Sequence, residues 1–578
     1  MFLLYNFPRY IDWRSFMKKQ CKPVPFLIMN VLLVLNMLIF WSIRSMWSGI
    51  IAIAGKPVPY ILMAVLAITA LLATSFSLNK KYCPIVMGIG VFLDVLFIGL
   101  HGYMLSVTLD SLSLFVREFG YGLLFTGGIA LIIFLSFYSA NVKWIHAKWT
   151  PAILMSLLLI GGTFFVFDIQ LINGIDKTPV VYAVEDTYQI TFTTQAKGEA
   201  WVVIDGIEYN DTYAGYRETE SDIHKIIVPM EALDNAESYT VYTRAMLLRG
   251  PYEALQGPII SETYTWRGVN TEDGLNYYAI SDNHLSSKAP AATASYWGEK
   301  LDFLIALGDS ANWIDHEDEL TQILYLASDI TKGEIPVIYA RGNHETKGTL
   351  AHKYYNYVGA NGDKYYYTFR IQNIWGIVLD VGEDHEDTYK EFSGLARFDA
   401  YRAEQTAFLD SILANADSEF NAEGVEYRIG LCHIPLTLTQ VSDPLAAQKT
   451  AWVERLNQMN LTIMYSGHLH ELMYVDPEIE AGTVLTHTLA YSGKDNNTKE
   501  YTICETNFPT VLVSKRGTSQ LLSEKENYFD KVFIGVAVSL ENNETVIKFT
   551  NEKHEIVKTL SPWFEGIEYG EEIRVKNK

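Results

Sequence analysis

The sequence predicts a multidomain protein: an α-helical membrane domain over residues 1–172, an all-β sandwich over 173–270 and an α/β domain over 271–578. Three observations lead there. Charge divides unevenly, with 12 Lys/Arg against 5 Asp/Glu in residues 1–172 and 33 against 62 in the remainder. Five apolar stretches fall in the first part, each close to the roughly 20 residues that cross a bilayer. In the last part, short apolar runs ending in Gly or Asp alternate with longer helical patterns, as in layered sheets covered by helices.

The apolar stretches run Val24–Ile43, Val58–Leu78, Ile85–Val107, Gly120–Ala140 and Pro151–Ile172. The first is not read as a cleavable signal, because more spans follow and no small-residue cleavage site is evident. Nine Lys/Arg gather in the connections on one side of the spans (Arg9, Arg14, Lys18, Lys19, Lys22, Lys80, Lys81, Lys143, Lys148), against Arg44, Lys56 and Arg117 on the other. Because Lys and Arg resist translocation, the N-terminus is expected in the cytoplasm and everything after about Asn173 outside. With only four cysteines in the chain, such an external domain suits a bacterial cell surface. Within the third span, Asp94 and His101 share a helical face. A buried carboxylate there is either a functional site or one side of a helix–helix hydrogen bond.

The soluble part is strongly acidic, which argues against nucleic acid as a partner, since phosphate backbones are bound by Lys and Arg. The expected partners are a lipid bilayer and a substrate. Residues Tyr188–Thr194, Ala200–Gly206 and Tyr239–Ala245 alternate in polarity between turn residues and predict a small β-sandwich. Helical patterns cover Glu317–Ile330 and Arg402–Ala414. From about Thr483 strands dominate, ending in a hairpin with Asn542-Asn543 as its turn.

Five strings in the α/β part carry the chemistry: Asp282-x-His284, Gly308-Asp309, Gly342-Asn343-His344-Glu345, His433 within Cys432-His433-Ile434-Pro435, and Gly467-His468-Leu469-His470. Imidazole and carboxylate suit zinc, manganese or iron, and two such ions can clamp an in-line phosphoryl displacement. Apolar runs precede Asp282, Gly308 and Arg341, so these side chains are expected at the C-terminal ends of buried strands.

In this order the strings resemble the metallophosphoesterase family, the calcineurin-like and purple acid phosphatase-like hydrolases. The resemblance implies a four-layer αββα sandwich for residues 271–578, and the placement of the β region is similar to the fibronectin-type sandwich that precedes the catalytic domain in purple acid phosphatases. It also implies a ligand set. Asp282, His284 and His470 would hold one divalent ion, Asn343, His433 and His468 a second, and Asp309 would bridge them. A water shared by the ions would become the attacking hydroxide on a phosphate mono- or diester. Purple acid phosphatases carry a Tyr ligand shortly after the Gly-Asp motif. Here the run Gly308-Asp309-Ser310-Ala311-Asn312-Trp313 has none, which points to divalent manganese, zinc or iron rather than a coloured ferric site.

Several roles stay open at this level. His344 would donate a proton to the leaving oxygen or stabilise the phosphoryl group, or else orient a ligand. Asn312 would face substrate or cap the next helix. Arg341 would touch phosphate or form a structural ion pair. His385, in the acidic run Glu383–Asp387, would contact substrate or sit in a solvated loop. The expected function is a membrane-anchored, externally facing metal-dependent phosphoesterase. The alternatives are a membrane sensor or transporter whose outer domain binds or gates, and a scaffold with a decayed phosphatase domain. All seven ligand positions are filled, which favours the enzyme.

Overall fold

The computed structural model describes residues 173–577, apart from 250–253, 272–273, 441, 471, 490–496, 514, 517–532, 542 and 558–571. The expected membrane domain, its five spans and Asp94 lie outside the described residues. Among the described residues no helix is long and apolar enough to cross a membrane. All of them belong to one unit, residues 170–578.

In chain order the strands that matter begin with β1 (Val180–Val184), β2 (Thr187–Ile204), β3 (Ser221–Pro229), β4 (Ser238–Arg249) and β5 (Ala254–Thr265). Next come β6 (Leu275–Ile280), β7 (Phe303–Ala306) and β8 (Pro336–Tyr339), with helices α1 (Lys288–Ala294) and α2 (Gln322–Thr331) between them. A second series holds β9 (Tyr367–Ile371), β10 (Ile374–Leu379), α3 (Phe398–Ala414), β11 (Tyr427–Cys432), α4 (Ala446–Met459), β12 (Ile463–Ser466), β13 (Met473–Val475) and β14 (Thr510–Leu512). Last are β15 (Phe533–Glu541), β16 (Glu544–Asn551) and β17 (Ile573–Lys576).

Two sheets face each other. The larger runs β17-β16-β15-β6-β7-β8-β1-β2-β4-β5, and the smaller β9-β10-β11-β12-β14-β13. Strands β6, β7 and β8 are parallel, as are β10, β11 and β12. Alternation along β10 shows how the layers form. Ile374 and Val378 join the core between the sheets, whereas Trp375, Ile377 and Leu379 join a second cluster with Leu409 of α3 and Trp452, Val453 and Leu456 of α4. A strand buried on both faces needs an apolar residue at every position, and β10 reads Ile-Trp-Gly-Ile-Val-Leu. Helices α1 and α2 pack on the larger sheet. The outcome is a four-layer α/β domain.

The β region departs from a separate sandwich. Strand β1 pairs in parallel with β8, Val181 opposite Pro336, so the strands β1 to β5 are hydrogen-bonded into the larger sheet. Strand β2, 18 residues long, serves two neighbourhoods. Its first half sits between β1 and β3, and its register shifts between Thr193 and Gly198 before the second half pairs with β4. An edge left by β8 is thereby covered rather than exposed. The C-terminal hairpin has Glu541 opposite Glu544, and Asn543 in its turn takes φ 64°, a conformation Asn tolerates.

Candidate metal centre

Each predicted ligand leaves the C-terminal end of a parallel strand. Asp282 and His284 follow β6, Asp309 follows β7, Asn343 and His344 follow β8, His433 follows β11, and His468 and His470 follow β12. The loops are short and turn sharply. Asp282, His284, Asp309, His468 and His470 all take positive φ, between 39° and 70°. For residues with a Cβ this conformation costs roughly 1–3 kcal/mol each and persists only when the surroundings impose it. Here the backbone does so: Asp282 N–H donates to Gly308 O at 3.0 Å, His284 N–H to Asp309 O at 3.0 Å, and Gly467 N–H to His433 O at 2.8 Å. Two glycines let the loops approach. A Cβ on Gly342 would lie 2.2 Å from Asp309 Oδ1, and one on Gly467 would lie 2.0 Å from Ser281 Oγ.

These loops bring all seven predicted ligands together. Asp282, His284 and His470 form one group whose donor atoms lie within 4.8 Å of one another, and Asp309, His433 and His468 form another. Asp309 reaches both: its Oδ2 is 3.2 Å from His433 Nε2 and 4.0 Å from His284 Nε2. The Nε2 atoms of His284 and His470 face each other at 3.2 Å. Asn343 Oδ1 meets His468 Nδ1 at 3.1 Å.

Surrounding groups orient these atoms. Leu307 O holds His433 Nδ1, which leaves the buried Nε2 facing Asp309 Oδ2. Asp384 Oδ2 holds His468 Nε2 at 3.3 Å, which turns Nδ1 inward. Asn343 Nδ2 donates to Glu383 Oε1 at 3.0 Å, so the amide oxygen faces the centre, and Lys347 pairs with Glu383 at 3.0 Å. Such outer partners fix ligand tautomers and orientations. Glu345 is wholly buried and accepts the backbone N–H groups of Asp309, Ser310 and Gly342, at 2.9, 2.6 and 3.0 Å. It ties the Gly308-Asp309 loop to the Gly342-Asn343 loop.

Charge follows burial. Desolvation pushes His284 down to about 4 against the pull of Asp309 and Asp282, so its ring is neutral and ready to ligate. Burial also disfavours charge on His433, yet the carboxylates of Asp309, Asp282 and Glu345 carry it up to about 10. Burial raises Asp309, but His433, His344 and His284 outweigh it and hold the carboxyl well below its usual range. Two fully buried carboxylates with one imidazolium between them match the charge requirement of a divalent cation that would displace that proton. The donor set, the buried and inward-facing His433 Nε2 and the close loops therefore fit metal ions.

The remaining predicted residues separate. His344 Nδ1 bonds Asn312 O at 2.7 Å, and its Nε2 lies 3.9 Å from Asp309 Oδ2 with the ring a third exposed, beside the ligands and facing solvent. Asn312 neither caps a helix nor points away from the ligands: its Oδ1 takes His284 Nδ1 at 2.9 Å, so it orients a ligand. Arg341 is a structural ion pair, 2.6 Å from Asp380 and 4.1 Å from the ring centre of Tyr365. His385 is half-exposed, 2.5 Å from Asp384, and lines a cleft of about 600 Å³ that opens beside His468. Glu345, Glu383, Asp384 and Lys347 received no role from the sequence. Glu345 stands inside a recognised string, and Glu383 and Asp384 belong to a run whose acidity reads equally well as a solvated loop.

Residues 275–472 match the model of the calcineurin-like phosphoesterase family, so the chain carries a calcineurin-like metallophosphoesterase domain. No curated protein matches the chain. Among solved structures it is similar to a purple acid phosphatase from seeds of yellow lupin, Lupinus luteus, at 13% identity and TM-score 0.39, covering 70% of this chain and 74% of that one. PhoD is similar at 10% identity and TM-score 0.35, covering 65% and 87%. GAP50, the anchor in the inner membrane complex of Plasmodium, is similar at 13% identity and TM-score 0.29, covering 53% and 89%.

Proposed function

We propose that the chain is a phosphoesterase that hydrolyses a phosphate mono- or diester at two divalent ions, on the outer face of a cell membrane to which residues 1–172 anchor it. The observation that carries the reading is Asp309, fully buried between two donor groups and within 4.0 Å of an imidazole nitrogen from each. A carboxylate has two oxygens and the charge to sit between two cations. Asp282, His284 and His470 would hold one ion, and Asn343, His433 and His468 the other. When bound, the ions supply Lewis acidity and an activated water for in-line attack.

The chain's own residues do the rest. Asn343 contributes a neutral oxygen, which limits the negative charge facing an anionic substrate. His344 donates its Nδ1 proton to the carbonyl of Asn312, so its Nε2 is left to carry a second proton towards the leaving oxygen. Glu345, by fixing both flanking loops, positions Asp309 and His344 relative to one another.

Purified residues 173–578 should bind two equivalents of manganese, zinc or iron and cleave p-nitrophenyl phosphate only when loaded. At most one equivalent bound by a folded protein would sink the reading. The outward orientation rests on the charge asymmetry of the spans. A cysteine replacing Tyr216, which is 79% exposed, should react with a membrane-impermeant reagent in intact cells. Reaction only after lysis would place the domain inside.

A further inference from the structure

The cleft beside His468 bears on what the ester carries. Its lining includes Asp384, His385, Glu386, Tyr389 and Lys390 from one segment, with Asp443 and Lys449 from another. Its position, adjoining a ligand of the second ion, makes it the place for the organic part of a substrate whose phosphoryl group lies on the ions.

The charges of this cleft nearly cancel. Lys449 and Asp443 pair at 2.7 Å, with side chains 7% and 6% exposed. Asp384 is engaged by His468 and His385. Glu386 and Lys390 stand exposed on the lip with opposite sign. Nearby cations are committed as well: Arg341 to Asp380 and Lys347 to Glu383. Two divalent ions with Asp282 and Asp309 balance one phosphoryl dianion. A second phosphate or a carboxylate in the cleft would meet no surplus positive charge, in a domain whose Asp/Glu outnumber Lys/Arg by 62 to 33 beyond residue 172. Tyr389, packed 4.1 Å from the His385 ring, offers aromatic surface to a polar or cationic group.

We infer that the cleft selects a single-phosphate ester whose organic group is a neutral or amine-bearing alcohol, and discriminates against pyrophosphates, nucleoside polyphosphates and nucleic acid. This rests on the phosphoesterase reading above. The test uses the full chain in detergent, loaded with manganese, and three short phosphonates that contain no ester to cleave. These are 2-aminoethyl-, 2-hydroxyethyl- and 2-carboxyethylphosphonate, followed by isothermal titration. The carboxylate should bind at least about tenfold more weakly than the other two. Glu386→Lys, a change at an exposed lip residue, should narrow or reverse that gap. Turnover should follow the same order, with phosphoethanolamine and glycerol phosphate ahead of pyrophosphate and ATP in kcat/KM. Equal or tighter binding of the carboxylate, or a gap untouched by Glu386→Lys, would overturn the inference while leaving the phosphoesterase reading in place. Failure of all three phosphonates to bind a two-metal protein would overturn both.

Discussion

The two halves of the centre are built from similar ligands but held differently. Around Asn343, His433 and His468 every ligand has an outer partner: Glu383 and Lys347 behind Asn343, the carbonyl of Leu307 behind His433, and Asp384 behind His468. His433 is 1% exposed. Around Asp282, His284 and His470 the strain lies in the backbone, with all three residues at positive φ, and the His470 side chain is 35% exposed. One half is tied down at every ligand, and in the other His470 is the ligand most open to solvent. The contrast teaches that ligand identity alone does not set affinity. The buried half should keep its ion longest, and a chelator should remove the ion on His470 first.

The largest expected effect erases the contrast. Asp309→Ala removes the group common to both halves, and both ions should be lost together with turnover. The decline should exceed the roughly 10–100-fold that removal of an orienting partner costs. Metal analysis showing one ion retained at full occupancy would mean that Asp309 serves a single half.

His344→Ala should leave both halves loaded yet lower kcat by about 10²–10⁴, the range of lost acid–base help. The loss should shrink for aryl phosphates, whose leaving groups need little protonation. An equal loss across leaving groups would assign His344 to charge stabilisation instead.

Glu383→Gln sharpens the comparison by loosening only the half that it supports. The ion on Asn343, His433 and His468 should bind roughly 10–100-fold more weakly, while the other half changes little. Equal weakening of both sites would show that Glu383 supports the loop as a whole.

The smallest effect is a proton count. Without metal, His433 is held protonated by the carboxylates around it, and burial works in the opposite direction. Its folded pKa is raised, so near neutral pH metal uptake must release that proton, and apparent affinity should climb as pH rises towards 10. Titrations in buffers of different ionisation enthalpy measure the release directly. No dependence on buffer would show that His433 is already neutral.

The candidate ligands could be named because their strings, each after an apolar strand, resemble those of the metallophosphoesterase family, and the fold brings them together. The roles of Glu345 and Asn312 were not legible. Glu345 accepts N–H groups from Asp309 and Ser310, residues more than thirty positions away, and Asn312 meets His284 across a loop. Asp384 looked like any acid in a polar run until the fold set it against His468.

The same division holds for the architecture. Hydrophobic periodicity determined the strands, the helices α2 and α3 and the layered α/β domain, because burial on one or both faces imposes a period on the chain itself. Strand partners depend on hydrogen bonds between distant backbone segments that leave no such mark. Only the tertiary structure placed Val181 opposite Pro336, and so joined the β region to the sheet that carries part of the candidate site. Only it closed five loops around Asp309. Ligand chemistry is a local property of side chains, whereas the distances that make a centre are set by chain segments packing together from far apart.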